Sequence, residues 1–83
     1  MLTEHSIVKV HLYDINHNEI QHRTIGKTFE VKRHRGKLGI DWGDNPVFCP
    51  FESFAWTAIF EDVNTGKMYH YSNLIRGIKE IKQ

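Results

Sequence analysis

The densest group of chemically active side chains lies between Lys32 and Lys37, where five of six residues are basic. The four permanent cations in this group are Lys32, Arg33, Arg35 and Lys37. His34 lies among them and gains a positive charge as the pH falls. Cations at this density suit a row of phosphates, since each neutralised phosphate releases condensed counterions. A solvent-exposed turn often has the same composition, so the cluster alone does not specify a ligand.

Charge is unevenly divided between neighbouring segments of the chain. Arg23 and Lys27 extend the basic group, so residues 22–37 hold six cations against Glu30, a charge of +5. Residues 38–66 hold five carboxylates and no lysine or arginine, a charge of −5, within a net charge of +1 for the whole chain. This asymmetry predicts an electrostatic partner for residues 23–37, and it is also typical of a homodimer in which the two segments pair.

Length and composition predict one small globular domain spanning residues 1–83. Hydrophobic residues make up 40% and charged residues 25%, which excludes a disordered chain. No apolar run approaches the roughly 20 residues of a membrane helix, and the first residues lack a secretory signal. The single Cys49 excludes a disulfide framework within one chain. We therefore expect a cytoplasmic protein without a membrane partner.

Catalysis and metal binding are the weaker hypotheses. Six histidines are many for 83 residues, and His11 and His22 are predicted on pairing strands with Asp14 or Glu19 nearby. Histidines on strands are more often surface or half-buried residues than ligands. Acid–base catalysis needs titratable groups that converge in a cleft, and the sequence shows only scattered candidates. We predict no enzyme activity, no metal and no cofactor.

Alternating apolar and polar residues predict a mainly β fold. Residues 7–13 form the clearest strand, with Val8, Val10 and Leu12 on its inward face. Residues 28–32 and 38–42 are predicted to form a hairpin turned around residues 33–36, with Gly36 supplying positive φ. The other predicted strands are residues 20–25 after a turn at 16–18, residues 54–60, and residues 68–71 after a loop at 62–67.

Two segments are ambiguous or broken. Residues 43–46 end a strand, and Pro50 is expected to prevent another strand before Ser53. The apolar spacing of residues 74–81 favours a short C-terminal helix, with a turn and a strand at 78–81 as the alternative. The predicted fold is a small, twisted sheet of five to six strands or a partly open barrel, with or without that helix.

Aromatic residues point to a second binding hypothesis. Six of the ten lie between Trp42 and Phe60, and Phe48 and Phe51 flank Pro50 in a predicted loop beside Asp44. Exposed aromatic residues in a loop make good interface anchors, although these two could also fold back as a lid on the core. Asp44, Phe48 and Phe51 are therefore the candidate protein-interface residues.

The preferred hypothesis is a small binding protein that holds RNA or single-stranded nucleic acid. Its predicted phosphate contacts are Lys32, Arg33, Arg35 and Lys37, with Arg23 and Lys27 extending the track. Outward-facing residues among Tyr13, Tyr69 and Tyr71 would stack on bases. The alternative is a protein-binding regulator or inhibitor, of the kind common among accessory proteins of phages and mobile elements.

Overall fold

The fold consists of two antiparallel sheets that share one core. The computed structural model of the chain describes residues 1–14, 16–20, 23–55 and 57–82. Strands β2-β1-β6-β7-β8 form a five-stranded sheet and β3-β4-β5 a three-stranded sheet, and the two do not close into a barrel. The strands are β1 Ile7–Leu12, β2 Thr28–Glu30, β3 Lys32–His34, β4 Lys37–Trp42, β5 Val47–Pro50, β6 Ala58–Asp62, β7 Met68–Ser72 and β8 Gly77–Glu80.

The core lies between the inward faces of the two sheets. Val8 and Val10 of β1 are fully buried, as the alternation predicts, and Ile40 of β4 is fully buried in the other sheet. Phe60 of β6 lies between them, with the Phe51 ring 4.6 Å from its centroid. A central aromatic group of this kind holds the sheets together mainly by removing apolar surface from water.

The chain from β2 to β3 connects the two sheets at one edge. β2 pairs with β1 and β3 pairs with β4, and only Val31 separates β2 from β3. The Val31 side chain is fully buried, and its backbone N–H and C=O are bonded to Ser6 and His5. The predicted continuous strand at 28–32 is therefore divided, because one buried residue turns the chain from the first sheet into the second.

An ion pair between His5, just before β1, and Glu30, at the end of β2, adds a pH-dependent contact where the two sheets join. His5 Nδ1 lies 2.7 Å from Glu30 Oε2, and this hydrogen bond raises the pKa of His5 above its ordinary value of 6.5. Charged His5 therefore stabilises the fold fully below pH 6.5, and this contribution is lost as the pH rises through the raised pKa. We expect Glu30→Gln to lower the pKa of His5 in an NMR titration of its ring protons. An unchanged titration curve would show that the pair does not form in solution.

The strand predicted at 54–60 begins later in the structure, at Ala58. Before Ala58, Phe51–Ser53 form one turn of 3₁₀ helix and Ala55 adopts a left-handed φ of 48°. This reversal carries the Phe51 and Phe54 rings onto Phe60, and burying two aromatic rings outweighs the strand propensity of the segment. Trp56, which belongs to the predicted strand at 54–60, is outside the described residues.

Pro50 does not prevent a strand before Ser53. β5 runs from Val47 to Pro50 and pairs only with β4, so it is an edge strand of the three-stranded sheet. Proline is tolerated on an edge strand when its nitrogen faces away from the neighbouring strand. The prediction of a loop at 47–52 is therefore wrong for its first four residues.

Among the described residues after β1, none forms part of the return strand predicted at 20–25. Tyr13 and Glu19 make one isolated bridge, and residues 23–26 form turns. The Asp14 carboxylate accepts backbone N–H bonds from Asn18 and Asn16, which lowers the pKa of Asp14 and closes the loop locally. The left-handed residue in this turn is His17, with a φ of 66°.

The C-terminal segment is a strand. Residues 73–76 form a turn after β7, and β8 returns antiparallel along it, so the helix favoured for residues 74–81 is wrong and the strand alternative is correct. The pairing places Tyr71 opposite Ile78 and leaves the apolar residues Leu74 and Ile75 exposed in the turn. Among the described residues, no helix has the length and apolar character needed to cross a bilayer.

Candidate functional site: the β3–β4 hairpin and its groove

The basic cluster forms a tight hairpin. His34 pairs with Lys37, so the turn consists of Arg35 and Gly36 alone, with φ values of 53° and 79°. Two successive left-handed residues define a type I′ turn, which matches the twist of the flanking strands. The prediction of a basic hairpin with Gly36 at positive φ is confirmed, and the turn itself is two residues shorter than predicted. Arginine is a strained choice at Arg35, because left-handed geometry crowds its Cβ.

The cations of the hairpin are divided between its two faces. Lys32 lies opposite Gly39, and its Nζ is 2.9 Å from Asp41 Oδ2 on the outer face of the sheet. Arg33 lies opposite Leu38, on the side that faces the rest of the molecule. The Lys37 ammonium donates a hydrogen bond to Glu52, which raises the pKa of Lys37. In the same way, the hydrogen bond to Asp41 raises the pKa of Lys32. The six predicted phosphate contacts therefore do not form one continuous track.

Arg33 and Arg35 differ in how firmly they are held. Arg33 Nη1 donates to the Gly36 carbonyl at 3.3 Å, and its Nε lies 3.6 Å from Glu4 Oε1. The Arg35 side chain makes no ion pair with any described residue. Arg35 is therefore the cation of the hairpin most available to an external anion.

Arg23 and Lys27 lie away from the hairpin tip. Arg23 forms an ion pair with Asp44 in the turn between β4 and β5, at the opposite end of β4 from Arg35. A six-residue strand measures about 20 Å, which separates these two charges. Lys27 precedes β2, which pairs with the five-stranded sheet. The structure does not bring these two residues to the other four.

The opposite charges of neighbouring segments meet within one chain. Asp41, Asp44 and Glu52 of the acidic segment pair with Lys32, Arg23 and Lys37 of the basic segment. These ion pairs are exposed, so solvent screens them and they add little to stability. The charge complementarity from which a homodimer was predicted is therefore largely satisfied inside the chain.

The outer face of the three-stranded sheet combines aromatic and cationic side chains. Phe48 of β5 lies opposite Asp41, and its ring centroid is 5.2 Å from that of His34, at an interplanar angle of 51°. We call the surface formed by Lys32, His34, Asp41 and Phe48 the hairpin face. His34 and Lys32 are exposed and Phe48 is half-buried, so solvent reaches both the rings and the charge.

The predicted interface residues Asp44, Phe48 and Phe51 do not form one surface. Phe51 is 2% exposed and packs on Phe60, so it is a core residue and not an interface anchor. The lid alternative is correct for Phe51, because its ring gains more by burial in the core than by exposure in a loop. Asp44 lies beside Arg23, whereas Phe48 belongs to the hairpin face.

The tyrosines and histidines proposed for other roles are dispersed. Tyr69 is buried, and its hydroxyl has no hydrogen-bond partner among the described residues, so it cannot stack on a base. His11 lies between two carboxylates, with Nε2 3.0 Å from Glu61 and Nδ1 3.4 Å from Glu19. His22 lies outside the described residues, and the part of the chain that is described holds no group of His, Cys, Asp or Glu residues that could bind a metal.

A groove of about 440 Å³ opens beside the hairpin. Its walls are the β3–β4 hairpin, residues 50–52 and the β7–β8 hairpin, and we call it the hairpin groove. Arg33, Lys37 and Arg76 line it together with an apolar floor that includes Leu38 and Ile78. Sequence reasoning included this turn only as the alternative to a helix, and it missed Arg76 as a residue that lines a groove. The Arg-Gly pair at 76–77, which repeats the pair at 35–36, was the available signal for a second tight turn.

Comparison of this chain with protein-family models, with curated proteins and with solved structures finds no match. No relative therefore assigns an activity, and a function has to be argued from the two surfaces of the hairpin. These surfaces differ chemically, because the hairpin face carries exposed rings while the hairpin groove has an aliphatic floor.

Proposed function

We propose that this protein binds single-stranded RNA or DNA on the hairpin face. The observation that carries the proposal is the pair of neighbouring rings, His34 and Phe48, on an open sheet surface beside Lys32. Proteins that hold single strands without reading sequence combine such stacking rings with cations that follow the backbone. Stacking contributes about 1–3 kcal/mol per base, which is enough to matter on a small surface.

The charges around these rings support a phosphate backbone as the ligand. Arg35 at the tip is free of internal ion pairs with described residues, and it stands one residue from His34. Lys32 is bound to Asp41, but both side chains are substantially exposed, so a phosphate can replace the carboxylate at small cost. Lys37, the first residue of β4, lies opposite His34 and supplies a third cation when its ion pair with Glu52 breaks.

The dimensions of the face favour a single strand over a duplex. Three cations on a sheet about 20 Å long engage only a few phosphates, and a short, flat surface with exposed rings needs unstacked bases. The face presents few groups that could hydrogen bond to base edges, so we propose binding without strong sequence preference.

The test is fluorescence polarisation of a labelled single-stranded RNA of about ten nucleotides at several salt concentrations. With three phosphates engaged, log K should fall with log salt at a slope of roughly −2. Phe48→Ala should weaken binding about fivefold or more through lost stacking. Arg35→Asn should weaken the salt dependence, so that the slope moves closer to zero. It should not destabilise the fold, because asparagine with Gly36 is a preferred type I′ pair.

Lys9→Gln provides the matched control, since Lys9 is an exposed cation on the five-stranded sheet. It should leave both the affinity and the salt slope unchanged. Equal losses of RNA affinity in Lys9→Gln and Arg35→Asn would mean that binding depends only on the net charge of the protein. Unchanged RNA affinity in Phe48→Ala would exclude stacking on this face. Either result contradicts the proposal.

A further inference from the structure

We infer that the hairpin groove docks a segment of another protein that carries aliphatic side chains beside carboxylates. The groove lies on the Arg33 side of the hairpin, Lys37 borders both surfaces, and the ligand of the groove differs from the one proposed for the hairpin face. Its volume of about 440 Å³ is within the range of established ligand sites, about 300–1,000 Å³. The inference does not depend on nucleic acid binding.

The floor of the groove is apolar and partly open. Leu2 and Phe51 are buried beneath it, and Leu38, Tyr71 and Ile78 remain partly accessible. Leu2, Leu38 and Ile78 are aliphatic, and the Phe51 ring is covered by its neighbours. Such a floor gains free energy by covering leucine- or isoleucine-like groups. A base would find one partly accessible ring among the described lining residues, that of Tyr71, and no second ring beside it.

The rim of the groove is cationic. Arg33, Lys37 and Arg76 come from two different hairpins, and Glu52 is the single carboxylate among the described lining residues. Arg76, like Arg35, adopts a left-handed φ, here 51°, immediately before a glycine. Arginine in this conformation is strained, and backbone strain is concentrated at functional positions. Glu4 holds Arg33 and Glu52 holds Lys37 in exposed ion pairs, so Arg76 is the rim cation without an ion pair among the described residues. Arg76 and the two exposed pairs attract an anionic group next to the apolar floor.

Apolar side chains outside the groove require a ligand larger than a small molecule. Leu74 is 95% exposed and Ile75 60% exposed in the turn before Arg76, and Met1, also on the wall of the groove, is 87% exposed. A ligand that fills only the groove would leave the leucine and isoleucine in water. A protein segment covers the groove and these side chains together, and large exposed apolar groups with a charged rim are characteristic of protein interfaces.

Other macromolecules fit this surface less well. A bilayer is too flat to fill a recessed floor, although Leu74 and the cations alone would suit an anionic membrane. Nucleic acid would use the cations and leave the aliphatic side chains without partners. A partner segment with leucines spaced between glutamates satisfies both, because its carboxylates meet the arginines where its side chains enter the groove.

The test uses a defined peptide and amide NMR spectra of the intact chain. The probe is a peptide of about twelve residues in which glutamates alternate with three spaced leucines, and its counterpart has lysines in place of the glutamates. We expect the acidic peptide to shift the amide signals of Gly36, Leu38 and Gly77, and the lysine peptide to leave them in place. Arg33→Gln combined with Arg76→Gln should weaken binding about tenfold, and Leu74→Asp should weaken it by at least as much.

Val63→Asp serves as the matched control, since Val63 is an exposed apolar residue in the β6–β7 loop, away from the groove. It should bind the acidic peptide as the unchanged protein does. The inference would be overturned if the acidic peptide did not shift the groove amides at millimolar concentration, or if the lysine peptide bound equally well. If the acidic peptide caused no shifts and phosphatidylserine vesicles bound in a Leu74-dependent way, the surface would instead be assigned to a membrane. Shifts of the same amides by single-stranded RNA, with the peptide silent, would also overturn it and assign the groove to nucleic acid.

Discussion

Phe60→Ala should lower the free energy of unfolding by about 3–5 kcal/mol. The Phe60 ring is fully buried and contacts the rings of Phe51 and Phe54, at centroid distances of 4.6 and 5.2 Å. Alanine would leave a cavity that two other aromatic rings border, so the loss includes their contacts. A domain of this length has a total stability of about 4–12 kcal/mol, and urea denaturation should show a large shift in midpoint.

Phe48→Ala is the matched control for this experiment. The Phe48 ring is half-buried and lies against His34, outside the core, so its removal should change stability by less than about 1 kcal/mol. Comparable losses in the two variants would mean that Phe48 belongs to the core. The hairpin face would then not present an accessible ring.

Gly39→Ala should destabilise the protein by about 3 kcal/mol, at the upper end of the range for overpacking. A Cβ at Gly39 would overlap the carbonyl oxygen of Cys49 and would lie 2.6 Å from the Pro50 Cα. These are backbone atoms, so no side-chain rotation can relieve the clash, and β5 would have to move away from β4. Thermal denaturation followed by circular dichroism would measure the loss.

The same substitution at Gly26 separates this clash from a general effect of alanine. A Cβ at Gly26 meets no atom within 4 Å, so Gly26→Ala should change stability by no more than about 0.5 kcal/mol. Gly39→Ala should also reduce RNA binding at temperatures where it remains folded, because moving β5 separates Phe48 from His34. Equal melting temperatures for the two variants would exclude the close approach of β4 and β5.

Local patterns predict those elements whose partners lie nearby in the chain. β1, the β3–β4 hairpin and the β6–β7 hairpin follow from alternation and turn chemistry, and Gly66 is left-handed in the loop where a glycine was expected to sit. The fold of residues 51–55 could not be predicted in this way. Their course depends on Phe60, and burial of aromatic rings against a distant residue overrides local strand propensity.

The ion pairs of the candidate site also could not be predicted from local sequence. The sequence contains the cations of the hairpin, but their partners Glu4, Asp41 and Glu52 lie up to 29 residues away along the chain. Which cations remain free, and on which face each one lies, depends on strand register. The role of Arg76 likewise becomes visible only when β8 pairs with β7 and brings its turn beside Gly36.

The prolines at the ends of β5 limit how this sheet can grow. Pro50 has no N–H to donate, so Pro50 and Gly39 form a non-hydrogen-bonded pair. Hydrogen-bonded and non-hydrogen-bonded pairs alternate along an antiparallel ladder, so the Phe48 N–H points to the open edge of β5. The next outward positions along this edge are Pro46 and Pro50, which both lack a donor. A strand added to β5 would therefore find one amide donor between two prolines. Prolines on an edge strand are one means by which natural sheets resist templated, fibre-like stacking of one copy on the next, and here they would keep Phe48 accessible to the proposed nucleic acid at high protein concentration.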